Sequence, residues 1–231
     1  MQLHLIRKSL VVLAIGGLLS FVAYEAVTQS RDGASMRPYH KLRRELFDMS
    51  RMQDVRVVML GDSLTEGAPW SELSACPFLI NRGIQGDNSA EALSRLDQIL
   101  LPKPRAVFIT LGTNDLMQGF TAQAFARNVG SIVDRLNSER VHSYLSFTPP
   151  VGPNYPPPIH ERIRQFNAAI ETLAPRPGVT LVDFRGPLSS SAGTLREALS
   201  TDGVHFNAGG YSIWWNAIAG FVARHCSGEA K

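Results

Sequence analysis

From residue 54 onward the chain switches between two hydrophobic periods. Short apolar runs occur at DVRVVML (54–60), PFLINRGI (77–84), RAVFITL (105–111), VHSYLSF (141–147) and VTLVDF (179–184). Runs of this length, several of them rich in β-branched residues and bounded by glycine, proline or charge, predict five strands. Between them apolar residues recur at three- and four-residue spacing. SAEALSRLDQIL (89–100) puts Ala92, Leu93, Leu96, Ile99 and Leu100 on one face. TAQAFARNVGSIVDRLN (121–137), IHERIRQFNAAIETL (159–173) and the strongly apolar NAGGYSIWWNAIAGFVARH (207–225) complete four predicted helices. Strands alternating with helices imply a parallel sheet covered by helices on both faces. No internal repeat is visible.

Two segments break the alternation. FTPPVGPNYPPPIH (147–160) holds six of the 14 prolines and is neither strand interior nor helix. It follows the fourth strand, so it leaves the sheet at the carboxyl edge, either as a wall of a substrate groove or as a stiff linker. The other is the front end. Arg7 and Lys8 precede an uncharged run from Ser9 to Tyr24. Its length and the lack of a small-residue cleavage site favour an uncleaved membrane anchor over residues 1–27, with a cleaved signal peptide as the alternative. Residues 28–53 read as a polar, basic linker with a short helix over HKLRRELFDMSRM. The basic leader points to export, so the expected location is the extracytoplasmic side of the cell envelope, tethered to the membrane. Arg31, Arg37, Lys41, Arg43 and Arg44 argue for the opposite orientation.

The chain of 231 residues suits one sizeable domain, here 54–231, with an appendage. Its net charge of +3 shows no basic block with interleaved aromatics, which excludes a nucleic-acid partner on pattern. The two cysteines, Cys76 and Cys226, form no CxxC, and no HExxH is present. They read as buried small hydrophobes, with pairing open only to an exported domain.

Polar residues gather where strands end. The first strand runs into Gly61-Asp62-Ser63, the second leads to Gly83-Ile84-Gln85-Gly86-Asp87-Asn88, and the third into Gly112-Thr113-Asn114-Asp115. Asp202-Gly203-Val204-His205 precedes the last helix. Open parallel sheets bind ligands at the carboxyl ends of their strands, so all four would converge on one edge. There Ser63 is a candidate nucleophile, His205 its base and Asp202 the group that holds His205. The N–H of Ser63, the N–H of Gly86 and the side-chain amide of Asn114 are candidate donors to an oxyanion. His160, beside the proline-rich loop, is the rival base. Trp70 and Tyr155 are candidates for lining the site, with a core role equally open to Trp70, while Trp214 and Trp215 read as helix packing.

GDSLTEG (61–67), NRGIQGD (81–87), GTND (112–115) and DGVHFN (202–207) resemble the four signature blocks of the GDSL family, also called SGNH hydrolases. The resemblance covers residues 54 to about 225. It implies a flavodoxin-like three-layer α/β/α sandwich on a mainly parallel five-stranded sheet. It also implies Ser63 as nucleophile and oxyanion donor, Gly86 and Asn114 as further donors, and His205 as base held by Asp202. Gly86 rather than Gly83 fits the pattern, because it immediately precedes Asp87. Phe206 stands where many members carry proline, a departure that bears on the groove. The small bacterial thioesterase/lysophospholipase-like and acetylhydrolase-like members look most similar.

The expected function is therefore a metal- and cofactor-independent serine esterase acting, through an acyl-enzyme, on carboxylic esters or thioesters of lipid or carbohydrate. Alternatives are an O-acyltransferase using the same residues, a metal-dependent phosphoesterase built on Asp62, Asp87, Asp115 and His205, and a non-catalytic envelope binding module.

Overall fold

A computed structural model describes residues 38–50, 52 and 54–227. The expected membrane segment at 1–27 lies outside the described residues. Among the described residues, no helix is long and apolar enough to cross a membrane. The chain divides into two compact units, Met1–Lys41 and Leu42–Lys231. Of the first, residues 38–41 are described, and they are helical.

The second unit opens with helical residues 42–48, here α1. There follow β1 (Val57–Gly61), α2 (Ser63–Glu66), α3 (Trp70–Leu73), β2 (Leu79–Gly83), α4 (Ser89–Ser94), α5 (Leu96–Leu100) and β3 (Ala106–Thr110). Then come α6 (Thr113–Met117), α7 (Ala122–Ser138), β4 (His142–Ser146), α8 (Pro157–Glu171), β5 (Val179–Val182), α9 (Arg185–Leu188), a 3-10 turn at Glu197–Leu199 and α10 (Ala208–Cys226). The five strands form one sheet in the order β2-β1-β3-β4-β5, every neighbouring pair parallel. β1 and β3 begin the sheet's core because all their residues are buried, as their unbroken apolar runs require.

Alternation along the strands splits the core in two. Val58 and Leu60 of β1 and Val107 and Ile109 of β3 face a layer with Ala92, Ile99, Val129, Val133, Phe166 and Ile170, from α4, α5, α7 and α8. Val57, Met59, Ala106 and Phe108 face the other way, onto Leu64, Trp70, Leu188, Trp214 and Ile218, from α2, α3, α9 and α10. The result is the expected three-layer arrangement. Each large apolar side chain removed from water contributes about 1.5–3 kcal/mol. Trp70 and Trp214 belong to this second layer, each 1% exposed with ring centroids 4.7 Å apart. Trp70 is thus core rather than site lining, and its Nε1–H donates to the Thr65 carbonyl at 2.7 Å.

Three expectations change. The proline-rich segment is not helix-free: α8 begins inside it at Pro157, because proline is tolerated in the first helical turn, where its missing N–H would have no intrahelical partner. The helix expected over 89–100 is broken at Arg95, which leaves helical geometry (φ −113°, ψ 16°). The periodicity of its apolar face runs through the break, but the Arg95 side chain turns inward to a buried acid, described below. The cysteines are not merely small hydrophobes. Cys76 and Cys226 form a disulfide with Cα atoms 5.6 Å apart, tying the approach to β2 to the end of α10 across 150 residues. Arg56 reinforces this corner by donating to the Cys226 carbonyl at 2.8 Å.

Closing so long a loop restricts the unfolded chain, a stabilisation of about 2–5 kcal/mol. The double variant Cys76→Ser/Cys226→Ser should melt on the order of 10 °C below the oxidised protein. Reductant should move the wild type to the same midpoint. Equal midpoints with and without reductant would show that the bond contributes nothing.

Candidate active site

The site grows out of the carboxyl edge of β1, β2 and β3. At the end of β1, Asp62 adopts extended backbone and its Oδ1 accepts the Leu64 N–H at 3.0 Å, capping α2 so that Ser63 is its first residue. β2 lies so close that a Cβ on Gly83 would sit 2.3 Å from the Glu66 nitrogen, which only glycine avoids. The Ile84 N–H donates to the Gly61 carbonyl at 3.0 Å, and the Asp87 N–H closes a turn onto the Ile84 carbonyl at 3.1 Å. Gly86 sits third in that turn with φ 84°, the position and hand that a type II turn reserves for glycine.

Asp87 is locked behind the turn. Its Oδ2 receives Arg95 Nη2 at 2.6 Å and Nε at 2.7 Å, with both side chains 1% exposed. Arg95 Nη2 also donates to the Gly61 carbonyl at 3.3 Å. α6, after β3, presents Asn114, whose Nδ2 donates to the Asp87 carbonyl at 3.0 Å and makes a longer contact, 3.4 Å, with Asp62 Oδ2. One amide thus touches the neighbour of Ser63 and the neighbour of Gly86. The fourth residue of this edge, Asp115, accepts from the Ser89 N–H at 2.9 Å and from the Ser89 hydroxyl, and Asn128 Nδ2 supports that hydroxyl at 2.9 Å. Burial pushes the Asp115 carboxyl up to about 6 against the lowering effect of the Ser89 donors.

The loop before α10 delivers the remaining groups. His205 Nε2 lies 2.9 Å from Ser63 Oγ, and its Nδ1 lies 2.6 Å from Asp202 Oδ2. The carboxylate on the Nδ1 side assigns the proton there, which leaves the Nε2 lone pair facing the serine hydroxyl. Asp202 Oδ1 accepts the N–H groups of Val204 at 2.9 Å and His205 at 2.7 Å. Burial opposes the Asp202 charge, but the His205 side chain and these backbone donors outweigh it and hold the carboxyl below its ordinary range. Ser200 closes the loop: its hydroxyl donates to the His205 carbonyl at 2.8 Å and accepts the Gly203 N–H at 2.8 Å. The proline-rich segment braces the same loop, its Gly152 N–H donating to the Gly203 carbonyl at 2.7 Å.

All five sequence-predicted residues, Ser63, Gly86, Asn114, Asp202 and His205, therefore meet at one edge. Around the turn, the Ile84 and Asp87 N–H groups are engaged, whereas those of Ser63 and Gly86 have no partner among the described residues. The rival base is elsewhere. His160 Nε2 bonds the Tyr155 carbonyl at 3.1 Å and lines a cavity of about 390 Å³ with Arg164, Asp183 and Arg185. Phe206 is buried against Tyr211 and Trp214, so the departure from proline is absorbed by the core. The three acids of the phosphoesterase alternative are engaged by Leu64, Arg95 and Ser89. Arg95, Ser89 and Ser200 escaped the sequence reading. A lone arginine inside an apolar helix pattern is the one signal that the sequence offers for them.

Burial pushes the Asp62 carboxyl up to about 7; the Leu64 donor opposes this, and the charges of Asp87 and Asp115 add to it. The folded state therefore favours the neutral acid. That contribution to stability is full below the unfolded value near 4 and is lost as pH rises through 7. Asp62→Asn keeps a neutral acceptor for Leu64. Its stability relative to wild type should rise by ~1.4 kcal/mol per pH unit between roughly pH 4 and 7. Urea melts of both proteins at three pH values test this, and a pH-independent difference would refute it.

Residues 59–213 match the GDSL-like lipase/acylhydrolase family. The platelet-activating factor acetylhydrolase IB subunit alpha1 of Homo sapiens is 27% identical over 202 residues, 84% of either chain. Esterase TesA of Pseudomonas aeruginosa is 28% identical over 131 residues, 55% of this chain and 60% of that one. The crystal structure of the lipase/acylhydrolase from Enterococcus faecalis superposes with a TM-score of 0.64 at 25% identity, over 78% of this chain and 100% of that one. With the four signature blocks at one sheet edge and the matched region spanning most of the chain, the protein belongs to the GDSL-like lipase/acylhydrolase family and is a hydrolase acting on ester bonds.

Proposed function

We propose that the protein is a serine esterase that cleaves acyl esters of lipid or carbohydrate through an acyl-enzyme. The observation that carries this reading is the chain Ser63 Oγ, His205 Nε2, His205 Nδ1, Asp202 Oδ2, with links of 2.9 and 2.6 Å. A serine hydroxyl is a weak nucleophile until a neighbouring base takes its proton. Here the His205 Nε2 takes it as Ser63 Oγ attacks the ester carbonyl. Asp202 holds the ring in the correct tautomer and stabilises the imidazolium without taking the proton itself. The tetrahedral oxyanion is received by the N–H groups of Ser63 and Gly86 and by Asn114 Nδ2. One Asn114 hydrogen is committed to the Asp87 carbonyl, which sets the plane of the amide; the other makes only a long 3.4 Å contact with Asp62, weak enough to be exchanged for an oxyanion. His205 then protonates the leaving alkoxide, and water, deprotonated by the same nitrogen, releases the acid. A sugar hydroxyl in place of that water would make the protein an acyltransferase, and product analysis with an added acceptor separates the two outcomes.

A chain-length series sorts an acetylesterase from a lipid hydrolase. The full-length protein should hydrolyse p-nitrophenyl esters, with turnover unchanged by EDTA. Ser63→Ala should lower kcat by at least about 10³-fold and His205→Ala comparably, since the two act as one unit. Turnover surviving in Ser63→Ala would exclude this mechanism. A folded wild type inert on every ester would favour an acyltransferase or a binding module.

We further infer an extracytoplasmic location, tethered to the envelope membrane by residues 1–27. The Cys76–Cys226 disulfide supports it, because such bonds persist in oxidising compartments. Protease added to spheroplasts should degrade the chain, and protection until the cytoplasmic membrane is lysed would refute the location.

A further inference from the structure

We propose that Glu66 is a positioning residue for the oxyanion loop and that α1 is the strap holding it in place; this rests on the serine-hydrolase reading above. α2 has only four residues, and it carries Ser63 at one end and Glu66 at the other. Residues three apart lie on neighbouring positions of one helix face. Ser63 faces His205, and Glu66 reaches across to the turn after β2. Glu66 Oε2 accepts the N–H of Gln85 at 2.6 Å. Gln85 immediately precedes Gly86, whose N–H is the proposed oxyanion donor. A rigid spacer four residues long therefore couples the nucleophile to the direction of that donor.

The coupling is needed because of the turn itself. Gly86 at φ 84° is the hinge of the turn, and glycine opposes rotation there less than any other residue. The Asp87 N–H closes the turn and the Asp87–Arg95 pair anchors its far side. On the near side the Ile84 N–H is tied to Gly61. Glu66 supplies the acceptor for the one remaining N–H ahead of Gly86 and so pins the Ile84–Gln85 peptide, from which the Gln85–Gly86 peptide that carries the donor departs.

Glu66 is in turn held from α1. Arg43 Nε lies 2.9 Å from Glu66 Oε1, with the two side chains 25% and 16% exposed. The Arg43 guanidinium lies over the Phe47 ring, 5.0 Å from its centroid, and Arg82 lies over the same ring at 4.6 Å. Phe47 is thus clasped between a helix residue and a residue of β2. Gln98 fastens the other side of the strap by donating to the Arg44 carbonyl at 3.2 Å and to Asp48 Oδ1 at 2.6 Å. The segment that joins the N-terminal region to the hydrolase domain is therefore wired to the oxyanion loop through one carboxylate.

The test uses full-length wild type, Glu66→Ala, Glu66→Gln, Arg43→Met and Ser63→Ala with p-nitrophenyl acetate and with a trifluoromethyl ketone, whose serine adduct carries the oxyanion. Removing an oxyanion donor costs about 10²–10³ in kcat, so misdirecting one should cost roughly 10–100-fold. Glu66→Ala should lose that much in kcat with KM within about twofold, and lose ketone affinity in parallel. Glu66→Gln keeps an acceptor for Gln85 and should recover to within about fivefold of wild type, and Arg43→Met should fall between them. If Glu66→Ala does not fold, Glu66→Asp, which withdraws the acceptor by one methylene, carries the same expectation. Unchanged kcat in Glu66→Ala, or Glu66→Gln as impaired as Glu66→Ala, would overturn the proposal. Activity in Ser63→Ala would instead overturn the reading on which it rests, so the two failures are distinct.

Discussion

The buried ion pair between Asp87 and Arg95 is the constraint around which the carboxyl edge of this sheet is arranged. Both side chains are 1% exposed, and the same guanidinium donates to the Gly61 carbonyl at the end of β1. One group thus joins the end of β1, the turn after β2 and the break between α4 and α5. Desolvating two charges is expensive, and a buried pair is weak evidence for stability as such. Removing one partner, however, leaves the other charged and dry, at a cost of about 3–5 kcal/mol. The loop carrying Gly86 therefore has few alternative positions that keep this pair intact.

Around this anchor, short secondary-structure elements convert strand ends into aimed groups. α2 and α6 have four and five residues, too few to persist alone. They hold because each starts on a strand that is buried on both faces. The rigid sheet fixes where Ser63 and Asn114 emerge, and hydrogen bonds to Asp62 and the Asp87 carbonyl fix where they point. The His205 loop lacks such a strand. It gains order from its own Ser200 and Asp202 contacts and from the proline-rich segment at Gly152. The prolines that look like a spacer thus stiffen a brace on the His205 loop. The acids at this edge divide by environment: Asp202, half-exposed and hydrogen-bonded, stays readily ionised, whereas Asp62 and Asp115, buried, are pushed toward neutrality.

The sequence by itself determined the five parallel strands, three of the four long helices and which five polar residues stand together at the sheet's edge. Strands buried on both faces must be apolar throughout, and the polar groups at their ends stand out against that background, as Ser63 does after Val57–Gly61. The spacing of the four blocks carried the resemblance that tied them together. What only the tertiary structure decided are the contacts between segments distant in the chain. Arg95 sits in a helical pattern that is intact in apolar period, and only its burial against Asp87 shows why the helix breaks there. Cys76 and Cys226 are 150 residues apart, and no local pattern announces that β2 and α10 bring them together. Glu66 and Gln85 look like ordinary polar surface residues until the close approach allowed by Gly83 places one against the other. Local chemistry is written in periodicity and turn residues, whereas long-range pairing is set by which surfaces the packed sheet and helices bring into contact.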